Sequence, residues 1–459
     1  MPTSRHFRRI IVLGLPLMAG MISEFAMYLA DSAMVGRLSV SHLAAIGIAT
    51  MMGELLWVIV WPLAPGTQTL ASRRFGRQEA ALLVEPDSLD HLRQRTGEVL
   101  ENAVVVSMAI GTAAVCLGFL SRPALSFLLD EVILVELADS YIQIVKWAMI
   151  PAALYYTLYG FLAAVNLTRP IMVASVSLNL LNIILNYGFI FGNLGFPALG
   201  IRGAALGTLL AQVAGSAILL GYVLLSQTTR PYRCLRFKKL TPRLMKDVSI
   251  AAAPMIAQLS IAFVFFLYFE SIVAGIGTLH LAVTHILFTA FVLNRSLVGG
   301  FAEGSSILVG NCLGRGDKEE AVRYAWASLG IAAVLGASQV CLLVALPEQV
   351  VRVFNSEPET VAMGVDALLF FSVFYFTNAL AYPLEIIFTH NGWGRFVLMS
   401  ETGCILVFTL GLTLLLVRYF GLGIYAAWLS FGLYATVFAG CLIWGFLSKR
   451  WLEVNVESE

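Results

Sequence analysis

Twelve long apolar runs, separated by short polar connections, are the feature that most restricts how this chain can fold. Most runs are apolar for about 20 residues or more, the length that a helix needs to cross roughly 30 Å of hydrocarbon. Runs this long, without polar alternation, do not suit a membrane barrel and therefore predict α-helices. The runs are 10–36, 44–70, 98–120, 136–160, 170–192, 199–225, 248–276, 281–310, 322–346, 364–389, 397–418 and 422–447.

The composition supports the same class of protein. Hydrophobic residues make up 59% of the 459-residue chain and charged residues only 12%, against about 25% charged residues in a typical soluble domain. The sequence therefore predicts an all-α, multi-pass membrane protein with twelve transmembrane helices. The predicted location is the inner (plasma) membrane.

Basic residues predict the orientation of these spans. With the N-terminus placed inside, the inner segments contain 22 of the 29 Lys and Arg residues and the outer loops contain 5, with Lys146 and Arg295 inside spans. Cytoplasmic loops carry an excess of basic residues, so both termini are expected in the cytoplasm. Two inner stretches stand out: 78–97 is expected to be a polar loop, and 226–247 a basic connection whose simplest role is contact with lipid headgroups.

The two halves of the sequence repeat. A shift of 238 residues aligns residues 14–78 with the second half without a gap, and it sets Pro16 on Pro254 and Gly76 on Gly314. A second match sets LGIRGAA, which begins at residue 199, on LGIYAAW, which begins at residue 422. Six spans per half give a parallel repeat, the usual construction of an alternating-access transporter.

The repeat predicts two six-helix lobes. We expect an N-lobe at 1–225, the basic cytoplasmic connection at 226–247 and a C-lobe at 248–459. Because lobes of this kind face a central cavity in transporters, polar side chains inside the spans become candidate cavity residues.

The first span contains two acids, Glu24 and Asp31. Seven residues apart, they lie within about 20° of each other on one helical face, which Tyr28 shares. A carboxylate at the centre of a membrane span costs roughly 2.5–3.5 kcal/mol, so this face is predicted to line a cavity that exchanges a cation. For Asp31 the simpler alternative is a near-surface acid without a role in a cavity, because it lies close to the outer surface, where a charge costs less.

Other spans contain polar residues at helical spacing, and a lipid-facing position would be costly for them. The alternative to cavity lining is a purely structural role, in which these residues form hydrogen bonds between helices, worth about 0.6 kcal/mol per pair on average. The amide stripe of the fifth span, Asn179, Asn182 and Asn186, favours cavity lining. The other candidate cavity residues are Glu54, Gln68, Glu270, Asn378, Tyr382 and Glu385.

Several functional classes receive no support. The net charge of +1 gives no reason to expect a nucleic-acid partner, and the six scattered cysteines suggest neither disulfides nor a metal site. Catalytic motifs such as HExxH, GxxxxGK[ST] and GxSxG are missing from the sequence. We therefore expect no enzyme activity, no cofactor and no certain metal site.

Four segments resemble a known family. LADSAMVGRLSVSHLAAIGIA, PLAPGTQTLASRRFGRQ, NLTRP and LNLLNIILNYGFIFGNLGFPALGIRGAALGT are similar to the multidrug and toxic compound extrusion (MATE) family, in particular its bacterial NorM-like and DinF-like members. The resemblance covers nearly the whole chain. It implies two six-helix lobes that switch between inward-open and outward-open states, and export of organic cations driven by H⁺ or Na⁺.

The resemblance also implies site residues. The first-span acid of the family, in an Asp-[Ser/Thr]-x-x-x-Gly context, matches Asp31, and its fourth-span tyrosine matches Tyr141. The fifth-span Asn-x-x-x-Asp pair matches Asn182 and Asn186, so an amide replaces the acid found in one branch.

In the C-lobe the two acids of the NorM-like pattern fall on Ala262 and Asn378, and both are therefore missing. Glu270 lies eight residues beyond Ala262 and about 80° round the helix, which makes it a poor substitute.

These features favour an antiporter that exports organic cations in exchange for H⁺, with Na⁺ as the less favoured ion. Asp31 is the expected coupling site and Glu24 its partner, and a proton and a cationic substrate would exclude each other there. Small organic cations and membrane lipids are the expected partners, and the chain is expected to be a monomer. Two alternatives stay open: a flippase for a lipid-linked sugar, which would favour a more cationic cavity, and an integral-membrane enzyme.

Overall fold

The computed structural model describes every residue except 39, 85, 130, 238, 458 and 459, and it describes the side chains of the others except 40–44, 83, 84, 86 and 128. The described residues form sixteen α-helices: α1 (Ser4–Val35), α2 (Val40–Val60), α3 (Leu63–Val84), α4 (Leu89–Gly118), α5 (Ser121–Leu128), α6 (Val132–Val145), α7 (Met149–Ala164), α8 (Thr168–Phe191), α9 (Ile201–Leu225), α10 (Pro242–Ile276), α11 (Thr278–Gly314), α12 (Lys318–Ala345), α13 (Pro347–Phe354), α14 (Pro358–Thr389), α15 (Gly394–Cys404) and α16 (Ile424–Ser448).

The predicted all-α membrane fold is confirmed. Within the described residues, eleven helical stretches are long and apolar enough to cross a bilayer. The predicted fourth span is the twelfth, and it consists of α6 and α7, of 14 and 16 residues, joined by a 3₁₀ turn at Lys146–Ala148. Each of these helices alone is too short to span about 30 Å, which is why the segment counts as a span only when the two are taken together.

The order of elements repeats between the halves, as predicted. A long helix with an internal proline opens each half, with Pro16 in α1 and Pro254 in α10. A short helix follows the third span in both, α5 and α13. The last helix of each half begins directly after a glycine, Gly200 or Gly423, at the two aligned LGI segments.

The second span shows a local difference between the halves. In the first half, α2 ends at Val60 and α3 begins at Leu63, whereas α11 runs unbroken from Thr278 to Gly314. Pro62 lies at the break and corresponds to Gly300 in the repeat alignment. Proline lacks the N–H that an α-helix needs and clashes with the preceding turn, so the break follows from this one substitution.

The predicted polar loop at 78–97 is wrong. In the structure α3 continues to Val84, a 3₁₀ turn covers Pro86–Ser88, and α4 begins at Leu89. The stretch is polar, but it is rich in Glu, Gln, Leu, Ala and Arg, which are good helix formers. The helices therefore extend beyond the apolar runs, and polarity alone did not indicate where they end.

The chain forms two compact units. The N-unit contains residues 19–256, 310–316 and 456–459, and the C-unit contains residues 1–18, 257–309 and 317–455. The start of α1 thus belongs to the C-unit and the start of α10 to the N-unit. These bounds differ from those of the lobes predicted at 1–225 and 248–459, and the division into two lobes stays a prediction.

The basic connection predicted at 226–247 belongs to the N-unit. Its last residues are helical, because α10 begins at Pro242. The backbone N–H of Arg236 donates to Glu101 Oε1 at 2.7 Å, and that of Thr241 donates to Asn102 Oδ1 at 2.7 Å. These bonds fasten the connection to α4.

Candidate functional site

Three acids of the N-unit lie on the first two spans. Asp31 on α1 is half-buried, while Glu24 on α1 and Glu54 on α2 are exposed. Tyr28, on the same face of α1, is 65% exposed. Glu54 lies within electrostatic range of Glu24. Within the described part of the chain, none of the three acids forms an ion pair with a basic side chain, so this face has excess negative charge.

Glu24 is exposed although it lies on a predicted membrane span. In a membrane-spanning helix, an exposed acid faces water or a cavity, because contact with lipid would be too costly. The wall formed by Glu24, Tyr28 and Glu54 therefore borders an open space and not a packed core.

The amide stripe of α8 leads directly to Asp31. Asn186 Nδ2 donates to Asp31 Oδ1 at 2.8 Å and to Asn182 Oδ1 at 2.9 Å. Asn182 Nδ2 donates to Thr208 Oγ1 on α9 at 3.2 Å. Asn182 and Asn186 are buried, so this chain of hydrogen bonds fixes the carboxylate of Asp31 from the interior side.

Two further contacts extend this network. Tyr141 on α6 lies near Thr208 and within electrostatic range of Asp31 and Glu54. Asn179 Nδ2 donates to Ser23 Oγ, next to Glu24, at 2.7 Å. Helices α1, α2, α6, α8 and α9 thus bring together the residues that sequence analysis placed on separate spans. Their coupling role stays a prediction.

Close packing of α8 on α9 makes the network possible. A Cβ atom added to Gly207 would overlap Asn186 Oδ1, and one added to Gly203 would overlap the carbonyl group of Phe189. Small residues at a helix interface allow backbones to approach closely in membrane proteins. Gly207 therefore provides the space in which the Asn186 side chain reaches Asp31.

Gln68 lies apart from the acids. It lies on α3, six residues after Pro62 at the break in the second span, and is 1% exposed. Neither of its amide atoms has a hydrogen-bond partner among the described residues. The structure thus places Gln68 inside the N-unit, away from the exposed wall.

The candidate residues of the C-unit are buried and mostly paired. Glu270 Oε1 lies 3.5 Å from His285 Nδ1. Glu385 pairs with Arg295, whose guanidinium stacks on the ring of Tyr382 at 3.9 Å from its centroid. Asn378 is buried, with its Oδ1 unpartnered among the described residues.

Sequence reasoning missed several contributors. Ser23, Thr208 and Gly207 were not singled out, because a lone hydroxyl or glycine in an apolar run carries no functional signal. Helical spacing relative to Glu24 and Asn182 could not have found them, since they matter through contacts between helices.

The oxygen atoms of the N-unit network suit a proton or a hard cation, since they come from carboxylates, amides and hydroxyls. Where the structure describes the chain, no group of three or more His, Cys, Asp or Glu side chains is placed to hold a metal ion.

Comparison with known proteins identifies the family. The MatE family profile matches residues 16–85, 90–188 and 254–415. A probable multidrug resistance protein NorM of Rhizobium meliloti is 26% identical over 334 residues, which are 72% of this chain and 69% of that protein. Multidrug resistance protein PmpM of Pseudomonas aeruginosa is 27% identical over 403 residues, which are 83% of this chain and 79% of that protein.

Solved structures show the same fold. An outward-facing multidrug resistance MATE family transporter of the MOP superfamily superimposes with a TM-score of 0.87 at 21% identity, covering 98% of this chain and 97% of that one. A MOP superfamily transporter from Pyrococcus furiosus, described as having a binding pocket of reverse polarity, gives a TM-score of 0.86 at 22% identity with the same coverage. The chain therefore belongs to the MatE family, that of the MATE efflux transporters.

Proposed function

We propose that this chain is a secondary antiporter of the inner membrane that exports organic cations in exchange for H⁺. The observation that carries the proposal is the Asp31 carboxylate, which accepts a hydrogen bond from Asn186 at 2.8 Å. Asp31, Glu24 and Glu54 lie on the first two spans, and none of them forms an ion pair with a basic side chain among the described residues. Such a site attracts a cation, and a proton can neutralise it.

Competition at Asp31 supplies the coupling. A proton bound to Asp31 removes the charge that attracts a cationic substrate, and a bound substrate disfavours the proton by the same free energy. Antiport requires this mutual exclusion. Alternating access would then expose the site to each side of the membrane in turn, with both termini in the cytoplasm.

The amide network can serve both states of Asp31. Asn186 Nδ2 donates to the carboxylate as it stands, while Asn186 Oδ1 is buried without a hydrogen-bond partner among the described residues. An amide has both donor and acceptor groups, so a rotated Asn186 would accept a hydrogen bond from a protonated Asp31. The network thus stabilises either state without adding a charge.

The relatives support the substrate class. The similar proteins NorM and PmpM are named as multidrug resistance proteins. Exposed Tyr28, beside Glu24, offers an aromatic face, and aromatic rings attract organic cations. We therefore propose small aromatic or amphipathic cations as substrates, with the protein working as a monomer surrounded by lipid.

Proton coupling is favoured over Na⁺ coupling by the C-half. The positions that the family resemblance assigns to the two acids of a Na⁺ site are occupied by Ala262 and Asn378. Neither side chain is anionic, and a Na⁺ site would lose most of its attraction.

The test is ethidium transport in vesicles that contain the purified protein. We expect an imposed pH gradient, with Na⁺ absent, to drive ethidium against its own gradient. An imposed Na⁺ gradient at clamped pH is expected to drive none. Transport that follows only the Na⁺ gradient would overturn the choice of ion, and ethidium movement that ignores both gradients would overturn antiport.

A further inference from the structure

Five helices of the C-unit meet at a polar cluster that the proposed antiport mechanism does not use. Three of its five side chains are buried and two are half-buried. Its members are Gln258 on α10, Arg295 on α11, Glu385 on α14, Glu401 on α15 and Tyr434 on α16. All five lie within spans that the sequence predicts, where polar groups carry a large cost. Polar side chains at these positions are therefore expected to have a function.

Arg295 and Glu385 form the centre of the cluster. Arg295 Nη2 lies 3.2 Å from Glu385 Oε1 and 3.3 Å from Glu385 Oε2. The ring of Tyr382 covers the guanidinium at 3.9 Å, and Gln258 Nε2 donates to Glu385 Oε1 at 3.2 Å. Glu385 is thus the carboxylate that pairs directly with Arg295.

Glu401 is left without a counter-charge of its own. It is 8% exposed, and its Oε1 accepts a hydrogen bond from Tyr434 at 2.8 Å. Its Oε2 is buried and makes no hydrogen bond within the described residues. Glu385, Arg295 and Gln258 all lie close enough to interact with it.

The charge balance of the cluster is unequal. The titratable and charged groups that face Glu401 are Glu385, Arg295 and Tyr434, with Cys404 beside it on the same helix. Two carboxylates therefore share one guanidinium. With both acids ionised, one negative charge would stay buried next to another, and such burial is costly. A proton on the free Oε2 of Glu401 removes that cost.

A second buried pair lies close by. Glu303 Oε2 is 3.3 Å from His390 Nδ1, and both side chains are buried. Glu303 also interacts electrostatically with Tyr382, the residue that covers Arg295. His390 follows the last residue of α14, at a connection that the distribution of basic residues predicts to be cytoplasmic. Titratable groups thus continue from the cluster toward one end of the helix.

The backbone at Glu401 adds an independent observation. From Ile405, four residues after Glu401, α15 continues as π-helical turns as far as Tyr419, interrupted at Thr413. Widened helical turns of this kind are uncommon and occur frequently at functional sites.

We propose that Glu401, together with Glu385 and Arg295, forms a second proton-binding site in the C-unit, with Glu303 and His390 as its connection toward the cytoplasm. The proton forms an O–H bond at Glu401 Oε2, while Glu385 keeps its charge for Arg295. This site is distinct from the Na⁺ site that the family resemblance places in the C-half, where Ala262 and Asn378 occupy the positions of the two acids. Its part in transport rests on the proposed antiport, but the binding of the proton does not.

Infrared difference spectroscopy between acidic and mildly alkaline buffer tests the proposal on the purified full-length protein. We expect the wild type to show a C=O band of a protonated carboxylic acid that is lost in Glu401→Gln. Glu385→Gln should lose the same band, because Glu401 then becomes the ionised partner of Arg295. Asp31→Asn should keep it, since Asp31 belongs to the N-unit.

The contrary results are equally definite. A band that persists in Glu401→Gln would overturn the site, and a band lost in Glu401→Gln but kept in Glu385→Gln would overturn the shared guanidinium. If neither glutamine variant folds, Tyr434→Phe removes the hydrogen bond to Glu401 and leaves both carboxyls. The C=O band should then shift in frequency, and an unchanged frequency would refute the assignment.

The same measurement separates this proposal from antiport itself. Loss of the band in Glu401→Gln without any proton-driven ethidium transport by the wild type would leave the proton site standing and remove the proposed function. Proton-driven transport by the wild type, with an unchanged band in Glu401→Gln, would support the proposed antiport and overturn the proton site at Glu401.

Discussion

The acids on the first two spans of the N-unit and the span acids of the C-unit lie in opposite surroundings. In the N-unit, Glu24 and Glu54 are exposed and Asp31 is half-buried, with amide and hydroxyl groups as neighbours. In the C-unit, Glu270, Glu303 and Glu385 are buried, and each lies within ion-pairing distance of a histidine or an arginine. One unit presents negative charge to an open space, and the other encloses and largely neutralises it.

This contrast shows what the internal duplication preserves. Aligned positions keep the order of helices and the prolines of the first and seventh spans, but Asp31 corresponds to Phe269 and Glu24 to Ala262. Phe269 is 1% exposed and packs in an aromatic core with Phe288 and Phe431. Helix geometry depends on length and hydrophobicity, so it survives while individual polar residues change.

Replacing Asp31 should have the largest effect. Asp31→Asn removes the charge that attracts the cation and the group that binds the proton, so we expect ethidium export to fall to the level of vesicles without the transporter. The matched control is Asp366→Asn, which changes an exposed aspartate of α14 in the C-unit and should leave export unchanged. Full export by Asp31→Asn would show that the N-unit wall is not the coupling site.

Gly207→Ala tests the amide network without touching an acid. The added Cβ would overlap Asn186 Oδ1 and push the amide away from Asp31. Loss of one hydrogen bond to a charged group costs about 1.5–3 kcal/mol, so export should fall about tenfold or more. Gly221→Ala, on the same helix with no atom near an added Cβ, is the control. Equal export by both variants would argue against the role of Asn186.

Gly300→Ala tests the difference between the second and eighth spans. Gly300 occupies the position that corresponds to Pro62, and an added Cβ would overlap the backbone of Met18 on α1. Overpacking of this kind costs about 1–3 kcal/mol, which should lower the melting temperature of the purified protein. Gly440→Ala, where a Cβ meets no atom within 4 Å, should leave the melting temperature nearly unchanged. A stable Gly300→Ala protein would show that α1 and α11 can separate.

An acid outside the spans gives the smallest predicted effect. Burial raises the pKa of Glu457, but Arg74 and Arg77, at 2.7 and 2.8 Å, outweigh it and hold this pKa below its ordinary value. The stabilisation is therefore present at neutral pH and is lost as the pH falls through the lowered pKa. Glu457→Gln should cost about 1 kcal/mol or less at neutral pH.

Thermal unfolding of the wild type and Glu457→Gln across a pH series measures this difference. We expect the two melting temperatures to converge in acid, because the wild-type carboxyl is then protonated. A gap that stays constant, or widens as the pH falls, would contradict the ion-pair explanation.

Much of the architecture followed from the sequence. Hydrophobic run length determined the helical membrane fold, and the aligned prolines and LGI segments determined the repeat, because these features act locally and need no partner. Helical spacing indicated Asp31, Asn182 and Asn186, and family resemblance added Tyr141. The structure connects Asp31, Asn186, Asn182 and Thr208 by hydrogen bonds. The helix ends at 78–97 were mispredicted, because helix formers can be polar.

The sequence by itself determined that this chain is a duplicated helical membrane protein with costly acids in its first span. Only the tertiary structure decided that Asn186 reaches Asp31 through the space left by Gly207, and that Glu385 takes the charge of Arg295 and leaves Glu401 alone. The physical reason is that hydrophobicity is a sum along one segment, whereas a charge is stabilised or not by groups on other helices. Those neighbours are set by packing, which no single stretch of sequence contains.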